Sequence, residues 1–187
     1  ARAVARTVAV LVYGARVVGR ENCPQMGGGL ICAIHQSLFD PALVGLACQR
    51  RMNYLARDTL FRVPLLAPLM RFLDAIPIDR EGMGLSGIKE TLRRLKTAEL
   101  VVIFPEGTRT RDGEMGPVKP GFISLARRSG VPLIPVGLDG AYQAWQRTAR
   151  SPRFGRIAVG AGKPISPEKG AAARDGELVA ELQRRNP

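Results

Sequence analysis

Short apolar runs of strand length recur along the chain, with room for one helix between most neighbours: LICAI (30–34), NYLA (53–56), AIPI (75–78), LVVIF (100–104), VPLIPVGL (131–138) and RIAVGA (156–161). Runs of this length, several bounded by turn residues, read as buried strands. Between them the apolar spacing turns helical. Asp40-Pro41 reads as a helix N-cap followed by a proline at the first helical position, opening a helix through Cys48. Residues 86–98 set Ile88, Leu92 and Leu95 on one face, with Ser86 as cap and Glu90 four residues before Arg94. A further helix spans about 119–129 and stops at Gly130, and GELVAELQRR near the C-terminus is amphipathic. Strands alternating with helices predict an α/β fold, a mostly parallel or mixed sheet flanked by helices. No repeat or linker divides the chain, so residues 1–187 read as one domain. Site residues of such sheets gather in the loops that follow strand ends.

The charge is lopsided. Lys and Arg number 28 against 16 Asp and Glu, a net +12, which favours a polyanionic partner: nucleic acid, an anionic membrane face or phosphorylated ligands. Aromatic residues are only 5% and no RNA- or DNA-binding motif occurs, which argues against nucleic acid. Cys23, Cys32 and Cys48 form no C-x-x-C, and with His35 the only histidine no zinc ligand set is present. The cysteines read as reduced and buried.

Two apolar stretches leave alternatives open. VAVLVYGA (8–15), between Arg6 and Arg16, is too short to span a bilayer, which takes roughly 20 apolar residues. Residues 1–17 are either a membrane-proximal, interfacial segment or the first element of the core. LFRVPLLAPLMRFL (60–73) is apolar nearly all round and carries Pro64 and Pro68. It is either a core helix or a surface that offers Leu, Met and Phe to lipid or an acyl chain.

His35 follows the run LICAI, and Asp40 stands five residues on. That separation does not stack side chains on one helix face, so the two must meet across a turn. There Asp40 can accept from one ring nitrogen, fix the tautomer and leave the other nitrogen as a base. On spacing alone, Asp40 as a plain helix cap and His35 as a satisfied core histidine is the commoner outcome, because single His–Asp pairs are unspecific. Ser37 is two residues from His35 and no G-x-S-x-G elbow occurs, which argues against a serine nucleophile. VVIFPEGTRTRDGE (101–114) is a strand running into a turn with Glu106, Arg109 and Arg111, which standing alone is more often a salt-bridged surface turn but can also offer N–H groups and a forked guanidinium to phosphate. IPIDRE (76–81) sets Arg80 at another strand end.

In order, HQSLFD, LFRVPLL followed by IPIDR, FPEGTRTRDG and VPLIPVGLDG resemble the four successive motifs of the glycerophospholipid acyltransferases, above all the 1-acylglycerol-3-phosphate (lysophosphatidate) acyltransferases. The resemblance covers about residues 18–165, and HQSLFD with FPEGTR is its specific part. It implies that His35, oriented by Asp40, is the general base that deprotonates the sn-2 hydroxyl for attack on an acyl-CoA or acyl-carrier-protein thioester. It implies that Arg80, Glu106, Gly107, Thr108 and Arg109 bind the glycerol phosphate and that Pro135 shapes the acyl-donor side. The product would be phosphatidic acid, with no metal or redox cofactor. The partners implied are lysophosphatidate, the acyl thioester, an anionic membrane surface and, for one donor type, acyl-carrier protein. The setting implied is the cytoplasmic face of a membrane, peripheral or anchored by a segment not in this chain. Ile34, Arg57, Ala67 and Thr110 depart from the family's usual Asn, Lys, Gly and Ser, and bear on substrate and acyl-chain preference. The same chemistry on glycerol-3-phosphate, another lysophospholipid or a lyso-aminolipid is the nearest alternative, and a non-catalytic basic binding module the more distant one.

Overall fold

The computed structural model describes residues 12–64, 67–72, 74–78, 85–172 and 180. Seven strands form one sheet: β1 (Arg16–Val18), β2 (Gly29–Ala33), β3 (Met52–Arg57), β4 (Ile76–Ile78), β5 (Leu100–Ile103), β6 (Leu133–Asp139) and β7 (Ala158–Ala161), in the order β1-β7-β6-β2-β5-β3-β4. Every neighbouring pair is parallel except β6 with β7. The sheet is therefore mixed, as the alternation of runs and helices predicts. The central strands are buried on both faces, which is why they read as continuous apolar runs. β1 carries no such run: it is a short strand on the sheet's edge, exposed at two of its three positions.

Helix α1 (Asp40–Ala47) connects β2 to β3, α2 (Ala67–Phe72) precedes β4, α3 (Leu85–Lys96) connects β4 to β5 and α4 (Pro120–Ser129) connects β5 to β6. Short helices α5 (Ala141–Ala144) and α6 (Pro167–Ala172) follow β6 and β7. The step from β2 to β3 runs along the sheet in one direction, and the steps from β4 to β5 and from β5 to β6 run in the other. Parallel crossovers keep one hand, so connections running opposite ways must lie on opposite faces. The core divides accordingly. Leu43, Val44 and Ala47 of α1 pack with Ile31, Ala33, Val102 and Val136. Ile88 and Leu95 of α3 and Phe122, Ile123, Leu125 and Ala126 of α4 pack with Leu30, Cys32, Val101 and Ile103. Successive residues of β2 thus feed opposite faces, as a strand's period of two requires.

Helix ends follow local chemistry. Gly130 ends α4 with φ 62°, a left-handed conformation open to glycine at little cost. On α3, Glu90 bonds both Arg93 (2.7 Å) and Arg94 (2.9 Å), and the Arg93 hydrogen bond leads in lowering its carboxyl to about 2. Such exposed pairs contribute a few tenths of a kcal/mol each. Two expectations need correction. α3 begins at Leu85, so Ser86 lies inside its first turn. Asp40 is the first residue of α1 rather than its cap, because its carboxylate is taken by donors from the loop before it.

The stretch 60–73 is not one helix. A 3-10 turn (Asp58–Arg62) and α2 flank Pro64, and residues 65, 66 and 73 lie outside the described residues. So do residues 1–11, most of the C-terminal amphipathic segment, and Arg80. Among the described residues no helix is long and apolar enough to cross a membrane. The three cysteines are buried and none is in a disulfide.

Candidate active site

Strands β2 to β6 are mutually parallel, so their carboxyl ends share one edge of the sheet. β2 and β5 are neighbours there, yet β2 leads to α1 on one face and β5 to α4 on the other. Chains that diverge this way open a crevice beyond the strand ends, the usual ligand position in open α/β sheets. His35 lies in the loop after β2, and Phe104 to Arg109 form the turn after β5.

His35 is fixed from several sides. Its Nδ1 lies 2.7 Å from Asp40 Oδ2, its ring stacks on Phe104 with centroids 4.2 Å apart, and the side chain is 22% exposed. Its backbone N–H donates to Glu106 Oε2 (2.9 Å) and its carbonyl accepts from the Thr110 N–H (2.7 Å). Asp40 is fully buried, and the same Oδ2 also accepts from the N–H groups of Gln36 (2.6 Å) and Ser37 (2.7 Å). Two backbone donors converging on Oδ2 fix it in place as an acceptor. Asp40 therefore accepts the Nδ1–H hydrogen bond, which leaves Nε2, with no partner among the described residues, as the nitrogen open to a substrate. Ser37 is buried, donating to the Trp145 carbonyl (3.0 Å) and accepting from Phe39 N–H, so it is no nucleophile.

A cavity of about 550 Å³ opens at His35. One part of its wall is apolar, with Tyr54, Leu55, Leu60, Met70, Ile78 and Phe122 among the residues. Leu60 and Met70 come from the 60–73 stretch, which so serves as cavity wall. The polar part carries Arg57, Arg109, Lys119 and Arg147, with Gly107 and Thr108 between them and no carboxylate among the lining residues. Gly107 has φ 66°, and a Cβ there would meet only Lys119 at 3.5 Å, so the turn needs glycine for its backbone and not for space. The Arg57 guanidinium donates to the Gly107 carbonyl (3.3 Å) and Arg147 donates to Thr108 Oγ1 (3.3 Å). Arg109 Nη1 is buried with no hydrogen-bond partner, and burial, then the nearby charge of Arg147, lowers its pKa. A cationic wall with no carboxylate lining it, where buried Asp40 offsets only part of the charge at Arg109, suits an anion.

The structure brings His35, Asp40, Gly107, Thr108 and Arg109 together. It does not bring the Glu106 carboxylate or Pro135 to the cavity wall. Glu106 is buried, and its oxygens accept from the N–H groups of His35 and Gly116, which ties the turn after β5 to the histidine loop. Burial, unopposed by any cation, pushes its carboxyl up to about 7. Pro135 sits buried within β6 in register with Cys32. Its ring replaces an N–H on the side facing β7, where that ladder starts only at Val136. Arg111 is exposed and does not line the cavity. Lys119 and Arg147, the cations that sequence reasoning passed over, follow β5 and β6 respectively, where strand-end logic pointed, but among 28 basic residues nothing marks them.

A family model described as Acyltransferase matches residues 14–139. The 1-acyl-sn-glycerol-3-phosphate acyltransferase of Bacillus subtilis (strain 168) is 34% identical over 128 residues, 68% of this chain and 63% of that protein. The protein of the same description from Pseudomonas aeruginosa is 31% identical over 184 residues, covering 96% and 68%. A chloroplastic relative from Brassica napus is 28% identical over 131 residues, 38% of its length, so the chain spans well under two thirds of some relatives. The crystal structure of the 1-acyl-sn-glycerophosphate (LPA) acyltransferase from Thermotoga maritima superposes with a TM-score of 0.80 at 23% identity, covering 98% of this chain and 74% of that one. At that identity the likeness speaks to the fold.

Proposed function

The chain belongs to the acyltransferase family, and on that premise we propose that it moves a fatty acyl group from an acyl-CoA or acyl-carrier-protein thioester to the sn-2 hydroxyl of 1-acylglycerol-3-phosphate, giving phosphatidic acid. The observation that carries this reading is the His35–Asp40 pair at 2.7 Å, with Nε2 unpartnered among the described residues at a cavity lined by both apolar and cationic side chains. A lysophosphatidate has the matching parts: a phosphate for Arg109 and its neighbours, an acyl chain for Leu60, Met70 and Phe122, and a hydroxyl between them.

In this mechanism His35 Nε2 takes the hydroxyl proton as the oxygen attacks the thioester carbonyl. Asp40 stabilises the imidazolium that forms. The tetrahedral intermediate collapses by breaking the carbon–sulfur bond, and the imidazolium returns its proton to the departing thiolate. Every proton is accounted for by His35, so the steps call on no metal or redox group.

We place the reaction at the anionic surface of a membrane, on the cytoplasmic face that the family resemblance implies. The net charge of +12 supports this, as does Phe154, 88% exposed in a loop with the exposed Arg150, Arg153 and Arg156. The test is release of free thiol from acyl-CoA and from acyl-carrier protein across a panel of lysolipid acceptors. Release should depend on lysophosphatidate and fall about 10²–10⁴-fold in His35→Ala with the melting temperature preserved. Activity near wild type in that variant would remove the mechanism.

A further inference from the structure

Resting on this acyl-transfer reading, we infer that Arg147 is a second guanidinium of the acceptor-phosphate site and that it makes the site select a phosphomonoester over a phosphodiester. Arg147 lies in the loop after α5, outside the stretch matched by the family model, and lines the same cavity as Arg109. Its Nη1 donates to the hydroxyl of Thr108, the residue just before Arg109. The two guanidiniums are close enough for Arg147 to lower the Arg109 pKa through like charge, the buried Asp40 opposes this by less, and neither guanidinium forms an ion pair with a carboxylate among the described residues. Two facing cations, one with a buried unpaired N–H, hold an unfavourable arrangement that an anion between them relieves.

The position of Arg147 is not that of a free surface arginine. The Trp145 carbonyl accepts from Ser37 Oγ (3.0 Å), and the Trp145 ring packs edge-on against Phe39 with centroids 5.0 Å apart. Trp145 Nε1 donates to the Ala149 carbonyl (3.2 Å), and the Arg153 N–H closes the loop onto the Ala144 carbonyl (2.7 Å). The loop bearing Arg147 is thus fastened to the loop bearing His35 and Asp40, so the phosphate and the reacting hydroxyl are positioned from one piece of structure.

Two forks set the selectivity. A phosphomonoester has three terminal oxygens and a charge between about −1.5 and −2 near pH 7, enough for one fork on each side. A phosphodiester has two free oxygens and one negative charge. It can satisfy Arg109 and leaves Arg147 with little to bind.

The test compares wild type, Arg147→Gln and Arg147→Lys on lysophosphatidate and on a lysophospholipid of the same acyl chain whose head group is a phosphodiester. Thiol release is read at saturating donor, and the donor KM separately. Where diester turnover is slow, its competitive inhibition of the monoester reaction supplies the comparison. For Arg147→Gln, kcat/KM on the monoester should fall on the order of 10–100-fold while the diester value stays within about threefold. Arg147→Lys should fall in between, keeping charge but not the fork. An equal fall with both acceptors, or a change confined to the donor KM, would overturn the inference while leaving acyl transfer intact. Wild-type protein that consumes no donor with either acceptor would overturn the acyl-transfer reading and this inference with it.

Discussion

Replacing Asp40 by asparagine separates what the carboxylate does for the fold from what it does for the chemistry. Its Oδ2 takes three bonds of 2.6–2.7 Å, from His35 Nδ1, Gln36 N–H and Ser37 N–H. An asparagine oxygen at the same point accepts them without the charge. Hydrogen bonds to charged groups contribute ~1.5–3 kcal/mol against ~0.5–1.5 for neutral ones, so the loss is about 1 kcal/mol per bond. Three bonds sharing one oxygen do not add fully, which leaves about 2–3 kcal/mol. For a chain of this size each kcal/mol shifts the melting temperature by roughly 2–4 °C, so the variant should melt about 4–12 °C lower and remain folded at 25 °C. The rate should fall much further. Without the buried negative charge the imidazolium is unsupported and the tautomer uncontrolled, at a cost on the order of 10²–10⁴ in kcat. Calorimetry with thiol release at saturating substrates, below both midpoints, measures the two effects on one sample. A drop in melting temperature with kcat within about threefold of wild type would refute the reasoning and reduce Asp40 to a loop tie.

Folding raises the Glu106 pKa from 4.5 to about 7. This group's contribution to stability is therefore complete below about pH 4.5 and is lost as pH rises through about 7. Glu106→Gln, neutral throughout, should flatten that part of the melting-temperature profile between pH 4.5 and 7, and parallel profiles would contradict the assignment. Arg109→Lys should raise the lysophosphatidate KM clearly and Arg109→Ala further, with the acyl-donor KM little changed; steady-state kinetics showing the reverse would move Arg109 to the donor's site. Leu60→Ser with Met70→Ser should weaken discrimination among acyl-chain lengths more than it lowers the melting temperature, since both side chains are only half-buried at the cavity wall. A large loss of stability with unchanged chain-length preference would make the segment purely structural.

The elements legible in the sequence are those whose local signals agree. β2, β5 and β6 are apolar throughout because helices cover both faces, and α3 and α4 show their period because one side faces water. β1 was hidden because its three residues hold an edge by pairing with β7, 142 residues on in register, and nothing local requires a strand there. The sequence marks Asp40 as a cap for a related reason. Asp-Pro at a helix start carries the same residue preference whether the carboxylate turns forward onto the helix or back onto the loop. The donors that decide the matter, Gln36, Ser37 and His35, are ordinary backbone and ring N–H groups that only the fold gathers. Arg147 was invisible for a statistical reason in a chain so rich in arginine, and its relevance comes from a hydroxyl 39 residues away.

The same distance dependence makes HQSLFD ambiguous alone and specific beside FPEGTR. The two stretches are one structural unit. β2 and β5 pair in register from Gly29 with Leu100 to Cys32 with Ile103, and the pairing does not stop where the strands do. Beyond the strands, His35 N–H finds the Glu106 carboxylate and the Thr110 N–H finds the His35 carbonyl, a side chain and a turn continuing what the ladder began. Phe104 leaves the end of β5 to stack on the imidazole. A histidine and aspartate five apart can meet on many scaffolds. A histidine whose two backbone groups, ring face and Nδ1 are each claimed, three of them from the second motif or its flanking residue, has one orientation left. Buried Glu106, held by the N–H groups of His35 and Gly116, is the cost of that arrangement: a carboxyl whose pKa burial raises to about 7 is tolerated because it fixes the backbone of the base.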